Sequence, residues 1–253
     1  MKQERFYTSF DQDYVQSRQQ EQRLPENYRW IDERRKSRLL SPLVYGLALV
    51  FGTFYCRLGL RLRIHGAKKL RHHRSGCFLY GNHTQPIGDV FTPALCAFPK
   101  RIYTVVSPAN FGIPVIGKLL PYLGALPTGQ TVHQVQQWQK AVTARVNQGH
   151  PIVIYPEAHV WPYCGFIRPF GDTAFKLPVK LKKPAFAMTA VYRQPRLGKR
   201  PVMDVYIDGP FSPAPDTPQQ MAAHLHQQVE QAMKKRSAQG NAEYIRYTQL
   251  PDS

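Results

Sequence analysis

The chain has 253 residues, 43% apolar and 12% aromatic, enough for one sizeable domain, or one domain plus an appendage, with a real core. Lys and Arg number 34 against 16 Asp and Glu, a formal charge of +18 that favours a polyanionic partner: nucleic acid, an anionic membrane surface or phosphorylated substrates. The four cysteines, Cys56, Cys77, Cys96 and Cys164, are widely spaced with no C-x-x-C pair and no histidines at metal spacing, which argues against a structural zinc and a disulfide framework and fits a reducing compartment.

Residues 1–38 are rich in Gln, Arg, Asp and Glu, lack a sustained apolar period and show no signal-peptide pattern. They read as a polar, basic tail or a loosely attached helix. The composition then changes abruptly. "LLSPLVYGLALVFGTFYC", residues 39–56, carries no charge. As a helix it extends ~27 Å, marginal for a hydrocarbon core of ~30 Å. Pro42 suits its first turn and Ser41 its N-cap. Basic residues flank both ends, "RRKSR" before and Arg57, Arg61 and Arg63 after. A spanning helix shows positive charge mainly on one side, so residues 39–59 fit better as a membrane-associating segment lying in one leaflet. A buried core helix is the alternative reading.

Residues 60–253 show α/β alternation. "LRLRIHG" alternates like an edge strand, and "CFLYGN" reads as a short buried one. "DVFTPALCAF" has helical length, and "IYTVVS" is the next strand. "VHQVQQWQKAVTARVNQG" sets Val132, Val135, Trp138, Val142 and Val146 on one helical face. "PIVIYPE", "PAFAMTAVYR" and "VMDVYIDG" are further strands. In "TPQQMAAHLHQQVEQAM", Thr217 and Gln220 form a capping box ahead of a Met221, Leu225, Val229 and Met233 stripe. The fold class is therefore α/β, with a mixed, largely parallel sheet covered by helices.

Three stretches carry candidate chemistry. In "FLYGNHTQPIGDVF", His83 follows a strand and Asp89 sits near a helix start, outside the carboxyl end of a sheet where sites gather. A neutral imidazole there takes a proton from an attacking hydroxyl while the carboxylate fixes its tautomer. The plainer alternative is a hydrogen-bonded turn in which Asp89 caps the helix. In "IVIYPEAHVWPYCGFIRPF", Glu157 ends a strand and is followed by His159 and Arg168. Glu157 is placed to orient a hydroxyl or a cation, and Arg168 to grip a phosphate; the alternative is a surface loop with a salt bridge. "PANFGIPVIGKLLPYLGALPTG" is apolar and broken by Pro and Gly, and suits either an acyl-chain channel or a buried helix and loop.

In this order the stretches resemble the glycerolipid acyltransferase family, which includes the lysophosphatidic acid acyltransferases. "NHTQPIGD" is similar to its Asn-His-x4-Asp motif, and "FGIPVIGKLLPYLGALPTG" to its second block. "YPEAHVWPY" stands where the family has Pro-Glu-Gly-Thr-Arg, and "KKPAFAMTAVY" at its closing strand. The resemblance spans residues 60–210. It implies a membrane-associated O-acyltransferase at the cytoplasmic face, moving a fatty acyl group from acyl-CoA or acyl carrier protein to a lysophospholipid hydroxyl. His83 and Asp89 are its implied catalytic pair and anionic membrane lipid its partner; of the substrate-binding candidates, Glu157 stands in the family's third block, while His159 and Arg168 are the residues here placed to compensate for its missing arginine. No metal or redox cofactor is implied.

The sequence departs from the family in three places, one of them the arginine that usually ends the second block, which is absent after Thr128. Five residues separate His83 from Asp89, one more than in the motif, and on a continuous helix that insertion would turn the carboxylate by ~100°. A "TQPIG" loop absorbs it instead. The third block has Ala158, His159 and Val160 in place of Gly-Thr-Arg, so the arginine that the family uses for acceptor phosphate is missing there. That leaves room for a phosphate-free acceptor such as a glycolipid or another alcohol. A non-catalytic basic membrane- or nucleic-acid-binding protein on the same fold is the third reading. Nucleic acid is disfavoured because no RNP-like, helix-turn-helix or zinc pattern occurs.

Overall fold

The computed structural model describes residues 3–15, 22–198, 202–214 and 216–251. Its main sheet has seven strands in the order β2-β8-β7-β3-β6-β4-β5. They are β2 (Arg63–His65), β3 (Cys77–Gly81), β4 (Tyr103–Val106), β5 (Ala125–Pro127), β6 (Pro151–Ile154), β7 (Ala185–Arg193) and β8 (Val202–Phe211). Only the β7–β8 pairing is antiparallel; the others are parallel. The fold is the mixed, largely parallel α/β sheet that the strand–helix alternation predicts.

Both faces of the sheet are covered, which is why the central strands read as continuous apolar runs. Along β3, Cys77 and Leu79 enter one core while Phe78 and Tyr80 enter the other. The first core is roofed by α1 (Arg35–Phe54), α2 (Ala67–His72) and α3 (Gly88–Ala97). The second lies under α5 (Val132–Asn147), α6 (Lys176–Leu181) and α7 (Pro218–Ser237). Leu225, Val229 and Met233 of α7 are fully buried, and the Thr217 hydroxyl accepts from Gln220 N–H as the capping box requires. In α5, Val142 and Val146 are buried, but Val132 at the helix start projects into solvent. The second apolar block is broken as its Pro and Gly suggested: a 3-10 turn (Pro108–Gly112), then α4 (Ile116–Leu123), then β5.

The apolar N-terminal helix begins earlier than residue 39. It starts at Arg35 and closes in a π turn, Tyr55–Gly59. Ser41 therefore does not cap it. Its hydroxyl donates to the Tyr122 carbonyl, and Pro42 lies inside the helix. Ser37, Ser41, Tyr45, Leu49, Gly52 and Cys56 form the face turned to the domain, along α3 and α4. At Gly52 a Cβ would stand 2.6 Å from the Phe91 ring, so only glycine lets the two helices approach so closely. Leu39, Leu43, Leu47, Val50, Phe54 and Leu58 are offset by two residues, about 200° around the axis, and all are exposed. Among the described residues, this is the one helix long and apolar enough to cross a membrane.

The described part of the N-terminal segment is docked on the domain. β1 (Gln3–Tyr7) pairs in parallel with β9 (Ile245–Gln249) as a separate two-stranded sheet. Further on, the Trp30 indole donates to the Pro127 carbonyl, and Leu24 N–H to Gln130 Oε1. Composition alone suggested a solvated tail, because the residues that anchor it are isolated aromatics and backbone groups rather than an apolar period. The four cysteines are free and buried.

Candidate active site

The topology fixes where two loops meet. β3 and β6 are neighbours, but the chain leaves β3 through α3 on one face towards β4. It leaves β6 through α6 on the opposite face towards β7. Such a switch point opens a crevice outside the carboxyl ends of the two strands. His83 follows β3 and Glu157 follows β6, so both stand in it.

The longer His83–Asp89 spacing is absorbed by a wrapped loop. Asp89 lies in the first turn of α3, and its Oδ2 accepts from three donors at 2.8 Å each: His83 Nδ1, Thr84 N–H and Gln85 N–H. The loop turns its own backbone donors onto the carboxylate, which brings Asp89 back to the imidazole. Gln85 locks the loop from below, its buried amide donating to the Tyr192 hydroxyl on β7 at 2.9 Å. The Asp89 side chain is 4% exposed and that of His83 20%. With Nδ1–H donated to the carboxylate, Nε2 carries the lone pair.

Tyr155 completes this part of the site, and the sequence reading missed it. Its ring stacks on the His83 imidazole at 4.3 Å between centroids, and its hydroxyl donates to the Asp89 carbonyl at 2.7 Å. Burial holds its phenol well above the ordinary range, so it stays a donor. Gly81 makes room for it, since a Cβ there would stand 2.7 Å from the Tyr155 ring. The available signal was its position immediately before Pro156-Glu157, at the end of an apolar strand.

Glu157 is buried beneath the same loop. Its Oε2 accepts from His83 N–H at 3.1 Å and from Arg168 Nη2 at 2.8 Å, and its Oε1 from Arg168 N–H at 3.0 Å. Burial pushes its carboxyl up, against the pull of the Arg168 guanidinium and the two backbone N–H groups. Arg168 is 1% exposed, so the residue expected to grip a phosphate is turned inward onto Glu157. Its partner lies eleven residues away along the chain, and spacing alone gives no sign of that burial. His159 points elsewhere: its imidazole is half-buried, with Nδ1 3.8 Å from the Asp13 carboxylate of the N-terminal segment. The structure thus gathers His83, Asp89, Glu157 and Arg168 at the crevice and sets the His159 ring apart. Open clefts of about 480 Å³ between α5 and α6 and about 390 Å³ beside β9 touch none of the five residues.

No family model and no curated protein sequence matches the chain. Among solved structures it is similar to the 1-acyl-sn-glycerophosphate (LPA) acyltransferase PlsC from Thermotoga maritima. The TM-score is 0.54 at 13% identity, covering 84% of this chain and 87% of that one. The two chains share a fold. At such identity the likeness speaks for architecture, and the chemistry has to be argued from the side chains.

Proposed function

We propose that the protein is an O-acyltransferase working at a membrane surface, with a thioester of CoA or acyl carrier protein as acyl donor and a lysophospholipid hydroxyl as acceptor. The observation that carries the reading is the 2.8 Å contact of His83 Nδ1 with a carboxylate already held by two backbone donors. Nε2 of His83 takes the acceptor hydroxyl proton as the oxygen attacks the thioester carbonyl carbon. Asp89 stabilises the imidazolium that forms. The tetrahedral oxyanion collapses, the carbon–sulfur bond breaks, and the departing thiolate takes the proton from the imidazolium. The ester and the free thiol are the products, and the base is restored.

The same reading accounts for α1. Its inner face is packed on the domain along the whole helix, while the stripe from Leu39 to Leu58 faces outward. A helix held so closely to the domain on one side fits the plane of one leaflet better than a crossing. The charge of +18 would add attraction to anionic lipid, ~1 kcal/mol for each basic residue near the surface.

The inward turn of Arg168 favours a second reading of the acceptor, a glycolipid or another alcohol without phosphate. Both readings are tested by offering labelled palmitoyl-CoA with lysophosphatidic acid or with a monoacylglycerol in anionic vesicles. Transfer to lysophosphatidic acid supports the first, and strong preference for the phosphate-free acceptor supports the second. No labelled lipid product with either would count against an acyltransferase.

A further inference from the structure

One loop holds the peptide of His83 on both sides. Its N–H donates to Glu157 Oε2, its carbonyl accepts from Trp161 N–H at 3.0 Å, and the next carbonyl, Thr84, accepts from Tyr163 N–H at 2.9 Å. Glu157 is in turn fixed by the two bonds from Arg168, and Arg168 Nη2 also donates to the His159 carbonyl. The guanidinium lies over the Trp161 ring at 4.8 Å. Trp161 is fully buried and clamped by both ends of the chain. Tyr247 of β9 stacks on it at 4.9 Å, Tyr7 and Tyr14 meet it edge-on, and its indole N–H donates to the Gln12 carbonyl at 2.8 Å.

A buried ion pair contributes little net stability compared with an apolar pair of the same volume. What it supplies is direction, because Glu157 Oε2 can sit only where Arg168 Nη2 and the His83 N–H place it. We propose that Glu157, Arg168 and Trp161 are positioning residues that hold the His83 peptide, and through it the imidazole, in register with Asp89. This rests on His83 being the base. Arg168 then uses its charge inside the protein and touches neither acceptor nor donor. The competing role is a phosphate ligand, for which its buried Nε and Nη1, without hydrogen-bond partners among the described residues, would be the donors.

The two roles separate kinetically. Steady-state transfer from palmitoyl-CoA is measured with lysophosphatidic acid and with a monoacylglycerol, for wild type, Arg168→Lys and the double variant Glu157→Leu/Arg168→Met. The double variant removes both charges together and leaves no lone buried ion. Positioning predicts a fall in kcat of about 100-fold with both acceptors and an unchanged acceptor KM. Arg168→Lys, which keeps the charge but loses the planar guanidinium that sets Nη2 between Glu157 and the His159 carbonyl, should retain at least tenfold more activity than the double variant. It also serves if the double variant fails to fold, with an expected loss of about tenfold in kcat for both acceptors. A rise in KM confined to lysophosphatidic acid, with kcat kept, would overturn the proposal. Histidine-selective 15N spectra give a readout free of turnover, with His83 assigned by its loss in His83→Gln. Wild type should show one Nδ1–H tautomer and the variants a shifted or mixed signal; an unchanged signal would overturn the proposal. If the wild-type chain acylates neither acceptor, the activity reading fails by itself and these spectra decide the positioning.

Discussion

Replacing Asp89 by Asn probes the charge of the carboxylate while keeping its shape. Asp89 Oδ2 accepts three hydrogen bonds at 2.8 Å, from His83 Nδ1, Thr84 N–H and Gln85 N–H. Bonds to a charged acceptor contribute ~1.5–3 kcal/mol each and neutral ones ~0.5–1.5. An amide oxygen in the same place therefore gives up about 1 kcal/mol per bond, roughly 3 kcal/mol in all. That lies within the ~5–15 kcal/mol stability of a typical domain, so Asp89→Asn should fold with Tm lowered by about 6–12 °C. Alanine would be a poorer probe, because it leaves three donors without an acceptor at ~1–3 kcal/mol each. The catalytic loss is separate. An imidazolium formed beside a neutral amide forgoes an attraction of about 4 kcal/mol at an effective dielectric near 20, about a thousandfold in kcat. The assay is thiol release from palmitoyl-CoA dependent on an added acceptor, alongside a thermal melt. A folded Asp89→Asn protein turning over within tenfold of wild type would refute the argument that the carboxylate stabilises the imidazolium.

Three further outcomes follow from the same structure. Leu43→Glu/Leu47→Glu removes two exposed leucines of the α1 stripe, at ~1.5 kcal/mol each, and should weaken binding to anionic vesicles by at least ~100-fold in a flotation assay; the fold should be unaffected, since neither side chain is packed inside. Burial pushes the Cys56 thiol up to about 11 and those of Cys77, Cys96 and Cys164 to about 12, so none should react with Ellman's reagent at pH 8 until the chain is unfolded. Burial, with Lys100 nearby, holds the His73 and His150 imidazoles below their ordinary value. The unfolded chain protonates them near ~6.5. Their contribution is thus complete above that pH and is lost as pH falls through the lower folded values. Denaturation midpoints should drop between pH 7 and pH 5, and His150→Gln should flatten the slope.

How much could be read from the sequence depended on how local the physics was. The central strands were legible because helices cover both faces, turning each into an unbroken apolar run such as Cys77–Gly81. The stripe of α7 and its Thr217 cap were legible because they depend on neighbours three and four residues away. The His83 and Asp89 motif was visible, but the way its extra residue is accommodated was not. Thr84 and Gln85 aim backbone N–H groups at Asp89, and a side-chain pattern does not report backbone direction. The burial of Arg168 was not legible for a related reason: a charged residue in a loop reads as exposed, and its burial depends on Glu157 and Trp161 closing over it. The docking of β1 beside β9 was the least legible, since it joins opposite ends of the chain through polar strands.

The account turns on Nε2 of His83, the one atom assigned the proton transfer. The direct measurement is His83→Ala, assayed for transfer from palmitoyl-CoA to the acceptor that wild type prefers, together with its circular dichroism and vesicle binding. The account predicts that transfer falls to background while the spectrum and the vesicle binding match wild type. A folded, membrane-bound His83→Ala protein turning over at close to the wild-type rate would contradict it.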